Sequence, residues 1–358
     1  MKNIDINENV LRIKPVFSKN NLGIVLSADK NYVPYLAVTI KSIFDYADPK
    51  YNYDVLIFDD GITAYQKELL AEMCKKNCSI RYIDVEELLK EVDTTLFQVK
   101  GIWSAATFYR LFIPKIMADY SKVLYLDCDI LVRDSLVSLF NVDMGNKHIA
   151  SVSDYMTFSP KLTKVKRHMD EIGVKDYKKY FNAGVVLFCP NKIDYNKFKD
   201  SFLKILETKK LAFLDQDILN IIFEGKVNLL DLEWNYQYNL LNDYPELRQN
   251  KKLDNAEKDA KIIHYTTSYK PWSHPNYPHA AKWWKVARET AFYEEIIYNN
   301  TRTSNVLLRN LVRNKRLFCK FMMLKLLKLV TFGKTNRKVN KAYNDIKNQV
   351  HNIKKIFK

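Results

Sequence analysis

The amino-acid sequence predicts an α/β fold with a largely parallel central sheet. Apolar runs rich in β-branched residues alternate along the chain with segments in which apolar residues recur at helical spacing. Polar side chains follow four of the apolar runs, which is typical of a parallel sheet that binds ligands beyond the carboxyl ends of its strands. The 358 residues are 47% hydrophobic, so a buried core is expected and a disordered or fibrous chain is excluded.

The individual elements follow from these patterns in chain order. Seven apolar runs bounded by polar or turn-forming residues predict the strands Leu22–Ser27, Tyr53–Phe58, Ile80–Val85, Lys122–Leu126, His148–Val152, Gly184–Phe188 and Lys261–His264. Five segments with apolar residues three and four apart predict the helices Val33–Tyr46, Thr63–Lys76, Ala105–Ile113, Lys192–Lys209 and Gln216–Glu224. Cys74 and Cys78, four apart, are expected on a helix and are too isolated to form a zinc site.

Two aspartates at the end of the fourth strand are the first candidate site. Asp127 and Asp129 are two apart, so in an extended segment their carboxylates point to the same face. Hard carboxylate oxygens suit Mg²⁺ or Mn²⁺, although a turn cap beside a solvated acid is the alternative interpretation. No Gly-rich dinucleotide or phosphate-binding pattern occurs, so phosphate recognition would have to use a metal or side chains.

Three further segments carry polar residues at element ends. Asn182 lies at the entrance of an apolar strand and precedes small residues, which suits either a ligand close to the backbone or an ordinary turn. Asp215 and Gln216 precede an apolar helix, where an N-cap with a favourable helix-dipole charge is the preferred interpretation. His264 ends a strand, as a third metal ligand or a structural residue, and Lys270 six residues later is placed to meet a phosphate.

Six segments together resemble glycosyltransferase family 8. They are VLSADKNYVPYLAVTIKSI, SAATFYRLFIP, KVLYLDCDILV, YFNAGVVLF, LDQDILN and IIHYTTSYKPW, within roughly residues 21–275. The resemblance implies a Rossmann-like glycosyltransferase A fold with a mixed, mostly parallel sheet. It also implies retaining transfer of galactose or glucose from a UDP-sugar, with Mn²⁺ or Mg²⁺ as cofactor. The acceptor it implies is a hydroxyl of lipopolysaccharide, lipooligosaccharide or another cell-surface glycan.

The resemblance also assigns roles to individual positions. Those matching the metal ligands are Asp127, Asp129 and His264. Those matching the donor-binding positions are Ser27, Ala28, Asp29, Asn31, Tyr32, Arg110, Asp127, Cys128, Asp129 and Lys270, with Lys270 at the diphosphate. Those matching positions around the donor sugar and acceptor are Asp154, Asn182, Asp215 and Gln216. Ser27 replaces a frequent Ala, and Thr267 replaces a Gly that would allow positive φ and close approach to phosphate.

The basic charge is confined to the C-terminal end. Residues 301–358 hold 16 of the 57 Lys and Arg and only one acidic residue, so they carry +15 of the net +16. Within them, 305–330 mixes apolar and basic residues and predicts an interfacial amphipathic helix on an anionic membrane. A solvated charge run or a helix packed on the domain is the alternative. No specific nucleic-acid partner is expected, because the first 300 residues carry only +1 and no recognised nucleic-acid motif.

We therefore expect four regions. These are an N-terminal extension over residues 1–20, a catalytic domain over 21–275, a connection over 276–300 and a membrane-association tail over 301–358. Five cysteines without a framework predict reduced thiols, and neither a secretion signal nor a membrane-spanning run is visible. A cytoplasmic enzyme on the inner face of the membrane is expected. An inactive family member acting as a partner protein, or a protein or capsule glycosyltransferase, is the alternative.

Overall fold

The computed structural model describes residues 12–90, 92–97, 105–159, 163–301 and 323. The chain divides into two compact units, Met1–Tyr293 and Glu294–Lys358. In the second unit, residues 294–301 are helical, and the predicted amphipathic helix at 305–330 lies outside the described residues apart from Met323. Among the described helices, none combines the length and the apolar character that crossing a membrane requires.

A seven-stranded sheet forms the centre of the first unit in the described part of the chain. Its strands are β1 (Asn21–Asp29), β2 (Asn52–Asp60), β3 (Cys78–Asp84), β4 (Val123–Leu126), β6 (Ile149–Ser153), β7 (Phe181–Phe188) and β8 (Val227–Leu230). Their order is β3-β2-β1-β4-β7-β6-β8. Strand β7 alone runs against its neighbours β4 and β6 among these seven, so the sheet is mixed but mostly parallel. The order reverses between β1 and β4, where such sheets bind ligands.

Helices cover the sheet and the loops at its edges. They are α1 (Val33–Asp45), α2 (Ala64–Ala71), α3 (Val85–Leu89), α4 (Ile113–Ile116), α5 (Val137–Phe140), α6 (Thr163–Ile172), α7 (Tyr195–Thr208), α8 (Leu214–Ile222), α9 (Leu240–Asp243), α10 (Lys251–Lys258) and α11 (Ala280–Ala287). Helix α1 has Pro34 in its first turn, where the missing N–H costs nothing, and it buries ten of its residues. Strand β7 is buried at every position, as expected for a strand covered on both faces.

A second, two-stranded sheet positions one of the candidate site residues. Strands β5 (Ile130–Val132) and β9 (Ile262–His264) pair antiparallel, and the register sets Ile130 opposite His264. The backbone N–H of Tyr265 donates to Asp129 O at 2.9 Å, which extends this pairing by one residue. The pairing thus brings His264 beside the Asp127–Asp129 segment, 135 residues earlier in the chain.

The predicted elements are largely confirmed, with several corrections. Strand β7 begins at Phe181, so Asn182 lies inside the strand and not at its entrance. Cys78 begins β3, and α2 ends at Ala71, so the prediction that both cysteines share a helix was wrong. The predicted helix at 105–113 is a 3₁₀ helix, Ala105–Phe112. Strands β5 and β8 were missed, because a three-residue run and a run interrupted by Asn228 carry too weak a pattern.

Candidate active site at the carboxyl edge of the sheet

Three side chains meet between the end of β4 and the β5–β9 pair. His264 Nε2 lies 3.6 Å from Asp127 Oδ2 and 3.2 Å from Asp129 Oδ1. One ligand-type atom from each residue falls within 4.8 Å of the other two. The imidazole is buried, with 4% of its side chain exposed, whereas 27% of Asp127 remains exposed and open to a ligand. Two carboxylates and an imidazole form a donor set that suits a divalent cation.

In each aspartate, the carboxylate oxygen that does not face His264 contacts a basic side chain. Asp127 Oδ1 accepts hydrogen bonds from Arg110 Nη2 at 2.9 Å and from Tyr125 OH at 3.1 Å. Asp129 Oδ2 contacts Lys270 Nζ, and Asp129 Oδ1 is a buried atom without a hydrogen bond in the described structure. The oxygens left for a metal therefore face His264, on the inner side of the cluster.

These neighbours also set the charge on the site. Burial works to raise the pKa of Asp129, but the Lys270 ammonium and His264 outweigh it and hold that pKa well below its ordinary value. Burial lowers the pKa of Arg110, and Asp127 and Asp215 more than restore it, so the guanidinium stays charged. Asp127 and Arg110 thus form a fixed ion pair at the edge of the candidate metal site.

Asn235, which no sequence pattern predicted, orients the imidazole. Its Oδ1 lies 3.0 Å from His264 Nδ1, and its Nδ2 donates to Asn182 Oδ1 at 3.0 Å. Because the amide nitrogen is committed to Asn182, its oxygen accepts from Nδ1–H, which leaves Nε2 on the side of the two carboxylates. Asn235 is fully buried and ends the short 3₁₀ helix Leu232–Asn235 after β8, where no local pattern marks it.

Gly184 makes room for this arrangement. A Cβ atom at this position would lie 2.2 Å from His264 Cε1 and 2.7 Å from Asp127 Oδ2. The site therefore requires a glycine at this position of β7. The backbone oxygen of Gly184 also accepts from Asp127 N at 2.9 Å, which fixes where β4 ends. Together with the orphan Asp129 Oδ1, this cradle fits a divalent ion held by Asp127, Asp129 and His264.

A second cluster of amides and a carboxylate adjoins the first. Gln216 Oε1 accepts from Ala183 N at 3.0 Å and from Asn182 Nδ2 at 3.2 Å, and Gln216 Nε2 donates to Asp154 Oδ2 at 3.1 Å. The backbone N–H of Ala183 fixes which end of the Gln216 amide is the oxygen. Burial raises the pKa of Asp154, opposed by the N–H of Met156 and by the two amides. The structure thus brings together three residues predicted from separate motifs.

Asp215 is not the N-cap that its residue type suggested. The cap of α8 is Phe213, without a side-chain hydrogen bond, and Asp215 lies inside the helix. Its carboxylate accepts from Thr107 Oγ1 at 2.6 Å and pairs with Arg110 Nε at 2.9 Å. Burial raises the pKa of Asp215 to about 6, against the lowering effects of Arg110 and Thr107. Leu214 before it has a φ of +44°, which a non-glycine residue rarely adopts.

The end of β1 supplies the residues predicted to receive a nucleotide. Ser27 and Ala28 are buried, Asn31 is exposed, and Asp29 Oδ1 accepts from Asn31 N at 2.8 Å and Tyr32 N at 2.9 Å. This bonding is an Asx turn, so Asp29 shapes the loop. Cys128 Sγ donates to Ser27 O at 3.0 Å, which joins the loop to the aspartate segment.

The loop after β9 completes the edge. The ring of Trp272 lies edge-on to Tyr32, with centroids 5.9 Å apart, and stacks on Tyr35 at 4.0 Å. Thr267 has a φ of +64°, so the backbone adopts the conformation that the expected Gly would favour, with a β-branched residue in its place. Asn239 Nδ2 donates to Thr266 O and holds this loop.

A model of the family described as "Glycosyl transferase family 8" matches residues 23–275. The chain belongs to glycosyltransferase family 8. It is 30% identical over 260 residues to a putative glycosyltransferase of Haemophilus influenzae, covering 70% of this chain and 73% of that one. It is 23% identical over 290 residues to the lipopolysaccharide 1,2-glucosyltransferase of Escherichia coli K12, covering 79% and 82%. It is 26% identical over 266 residues to the lipopolysaccharide 1,3-galactosyltransferase of Salmonella typhimurium, covering 71% and 73%.

Solved structures confirm the glycosyltransferase A fold of this family 8 chain. The galactosyltransferase LgtC, in complex with donor and acceptor sugar analogues, matches with a TM-score of 0.62 and 26% identity, over 75% of this chain and 96% of that one. The bifunctional glycosyltransferase WbbM matches with a TM-score of 0.71 and 28% identity, over 81% of this chain. The chain spans about half of WbbM, 53%. The family 8 chain is therefore a glycosyltransferase.

Proposed function

We propose that this protein is a retaining, metal-dependent hexosyltransferase. It moves galactose or glucose from a UDP-sugar to a hydroxyl of lipopolysaccharide, lipooligosaccharide or another cell-surface glycan. The observation that carries the proposal is the cluster of Asp127, Asp129 and His264, whose free ligand atoms converge where the strand order reverses. Membership of a glycosyltransferase family and similarity to enzymes named for lipopolysaccharide synthesis support the reaction and acceptor class.

Asp127, Asp129 and His264 would hold the divalent ion, Mn²⁺ in the first instance. Bound there, the ion would supply Lewis-acid stabilisation to the leaving diphosphate. Lys270 adds a preorganised positive charge on the same side. The Arg110 guanidinium, stacked on Tyr125 with 4.1 Å to the ring centroid, holds the outer oxygen of Asp127 and so keeps its inner oxygen available.

The amide cluster suits a role in binding the transferred sugar. The Gln216 amide accepts hydrogen bonds from Ala183 and Asn182 and donates one to Asp154. Gln216 is therefore a fixed dipole and a poor nucleophile. We therefore favour attack by the acceptor hydroxyl on the face that the diphosphate leaves, with the departing phosphate taking the acceptor proton. Asp154 and Asp215 would accept hydrogen bonds from donor or acceptor hydroxyls.

We also propose a peripheral location on the inner face of the membrane, through residues 301–358. Their net charge of +15 would draw them to anionic lipid at about 1 kcal/mol per basic residue near the surface. Co-sedimentation of the full chain with anionic and neutral liposomes, beside a chain that ends at residue 300, checks this. Equal binding of both chains to anionic liposomes would remove the tail from the proposal.

A UDP-sugar panel tests the central proposal. The purified chain is assayed with Mn²⁺ for release of UDP from UDP-galactose, UDP-glucose and related donors. We expect release with one hexose donor, its loss in EDTA and in Asp129→Ala, and its retention in Asp134→Ala. Asp134 is the matched control because it is an exposed aspartate five residues away. Activity that persists in EDTA would refute the metal role, and an inverted anomeric product would refute retention.

The same panel separates an enzyme from an inactive relative. Thr267 at positive φ is the observation that favours inactivity, since a β-branched residue stands where the backbone favours Gly. Absence of UDP release with every donor, in a chain that binds Mn²⁺ and UDP, would support the role of a partner protein.

A further inference from the structure

Lys270 contacts a carboxylate that we propose as a metal ligand. Its Nζ contacts Asp129 Oδ2 and donates to Tyr265 O at 2.7 Å. The other oxygen of the same carboxylate, Oδ1, lies 3.2 Å from His264 Nε2. The side chains of Lys270 and Asp129 are 16% and 12% exposed, so water screens the ammonium only in part. An ammonium and a divalent ion would thus share one carboxylate.

Lys270 is much less firmly held than the other cation of the site. Arg110 is fixed by Asp127, by Asp215 and by the backbone oxygens of Thr107 and Ala183. Each nitrogen of its planar guanidinium has a partner there. Lys270 lies on a loop, carries its charge on a flexible four-carbon stem, and has one backbone oxygen besides Asp129 as partner among the contacts above.

A diphosphate changes the balance of charge around Lys270. The ammonium would repel a divalent ion that binds alone. Both positive charges would contact the carboxylate of Asp129 and would therefore lie close together. A bound diphosphate offers Nζ an anionic partner and neutralises the repulsion. The ammonium therefore opposes the first event, binding of the ion alone, and supports the second, binding of ion and diphosphate together.

We propose that Lys270 couples the binding of the divalent ion to the binding of the nucleotide diphosphate. It lowers the affinity of the site for the bare ion and raises the affinity for the ion together with UDP. This inference rests on the proposed function, because it takes Asp129 as a metal ligand. The coupling is reciprocal, so UDP raises the affinity for Mn²⁺ by the factor by which Mn²⁺ raises the affinity for UDP. Couplings between sites are typically about 5–150-fold.

The test is a thermodynamic cycle on the full-length protein. Dissociation constants for Mn²⁺ are measured by electron paramagnetic resonance of free Mn²⁺, with and without UDP, in wild type, Lys270→Met and Lys270→Gln. Lys285→Met is the matched control, because it removes the same charge from an exposed position on α11. Circular dichroism checks that each variant is folded.

We expect both Lys270 variants to bind Mn²⁺ alone about 10-fold more tightly than wild type. The factor by which UDP tightens Mn²⁺ binding should fall by at least the same amount. Lys285→Met should match wild type in both measurements. Mn²⁺ affinity that is unchanged or weaker in both Lys270 variants would overturn the coupling and leave the metal site standing. Failure of wild type to bind Mn²⁺ with or without UDP would overturn the proposed function and the coupling with it.

Discussion

Replacing Gly184 by alanine tests the geometry of the metal site more directly than removing a ligand does. The added Cβ would lie 2.2 Å from His264 Cε1, whereas ordinary contact begins at 3.4 Å. Restoring ordinary contact therefore takes a relative shift of the imidazole and β7 of about 1.2 Å, the difference between these two distances. Metal–ligand distances are fixed to about 0.2 Å, so a shift of this size takes Nε2 out of coordinating position. All three proposed ligands nevertheless remain in the chain.

We expect Gly184→Ala to weaken Mn²⁺ binding by about 10–100-fold, which is the loss typical of a misplaced ligand shell. Overpacking should also cost about 1–3 kcal/mol of stability. Isothermal titration with Mn²⁺ in the presence of UDP measures the first effect, and urea unfolding measures the second.

Gly225→Ala provides the matched control for that experiment. Gly225 has a φ of +76°, and a Cβ added there would have nothing within 4 Å, so alanine strains the backbone without touching the site. A stability loss of about 1–2 kcal/mol is expected, with Mn²⁺ affinity unchanged. The reasoning is refuted if Gly184→Ala binds Mn²⁺ as wild type does, or if Gly225→Ala loses as much affinity.

Three further predictions follow from single contacts. Thr267→Gly should relieve the strain of positive φ and raise stability by about 1 kcal/mol, or ~2 °C in Tm, whereas Thr267→Ala should gain nothing; equal Tm values would contradict this. Asn235→Ala should weaken Mn²⁺ binding by about 10-fold or more, with the half-buried Asn228→Ala as the control; wild-type affinity in Asn235→Ala would exclude an orienting role. The hydrogen bond to Asp217 raises the pKa of His168, so its contribution to stability is complete below about pH 6.5 and is lost as the pH rises through the folded-state pKa. Urea unfolding at pH 6 and pH 9 should show a smaller difference in His168→Asn than in wild type, and identical differences would refute the assignment.

Much of the fold was within reach of the sequence, because burial leaves a local signature. Strands such as β1 and β2 are buried along nearly their whole length, so they read as continuous apolar runs. The predictions of helix ends and of short strands were less accurate. Strand β5 has three residues and exists because β9 pairs with it, which is a fact about a segment more than 130 residues away.

The candidate site likewise combines features that the sequence shows with contacts that only the folded chain forms. The spacing of Asp127 and Asp129 after an apolar strand predicts two carboxylates on one face, and the uneven charge separates a nearly neutral domain from a basic tail. The sequence by itself therefore determined the fold class, the aspartate pair and the location of the charge. The family resemblance matched His264 to that pair, but only the tertiary structure shows the strand pairing that brings it there, makes Asn235 its hydrogen-bond partner and makes Asp215 a partner of Arg110 and not the expected cap. These contacts join residues far apart in the chain, and strand pairing and burial create them, so no local pattern of residues can encode them.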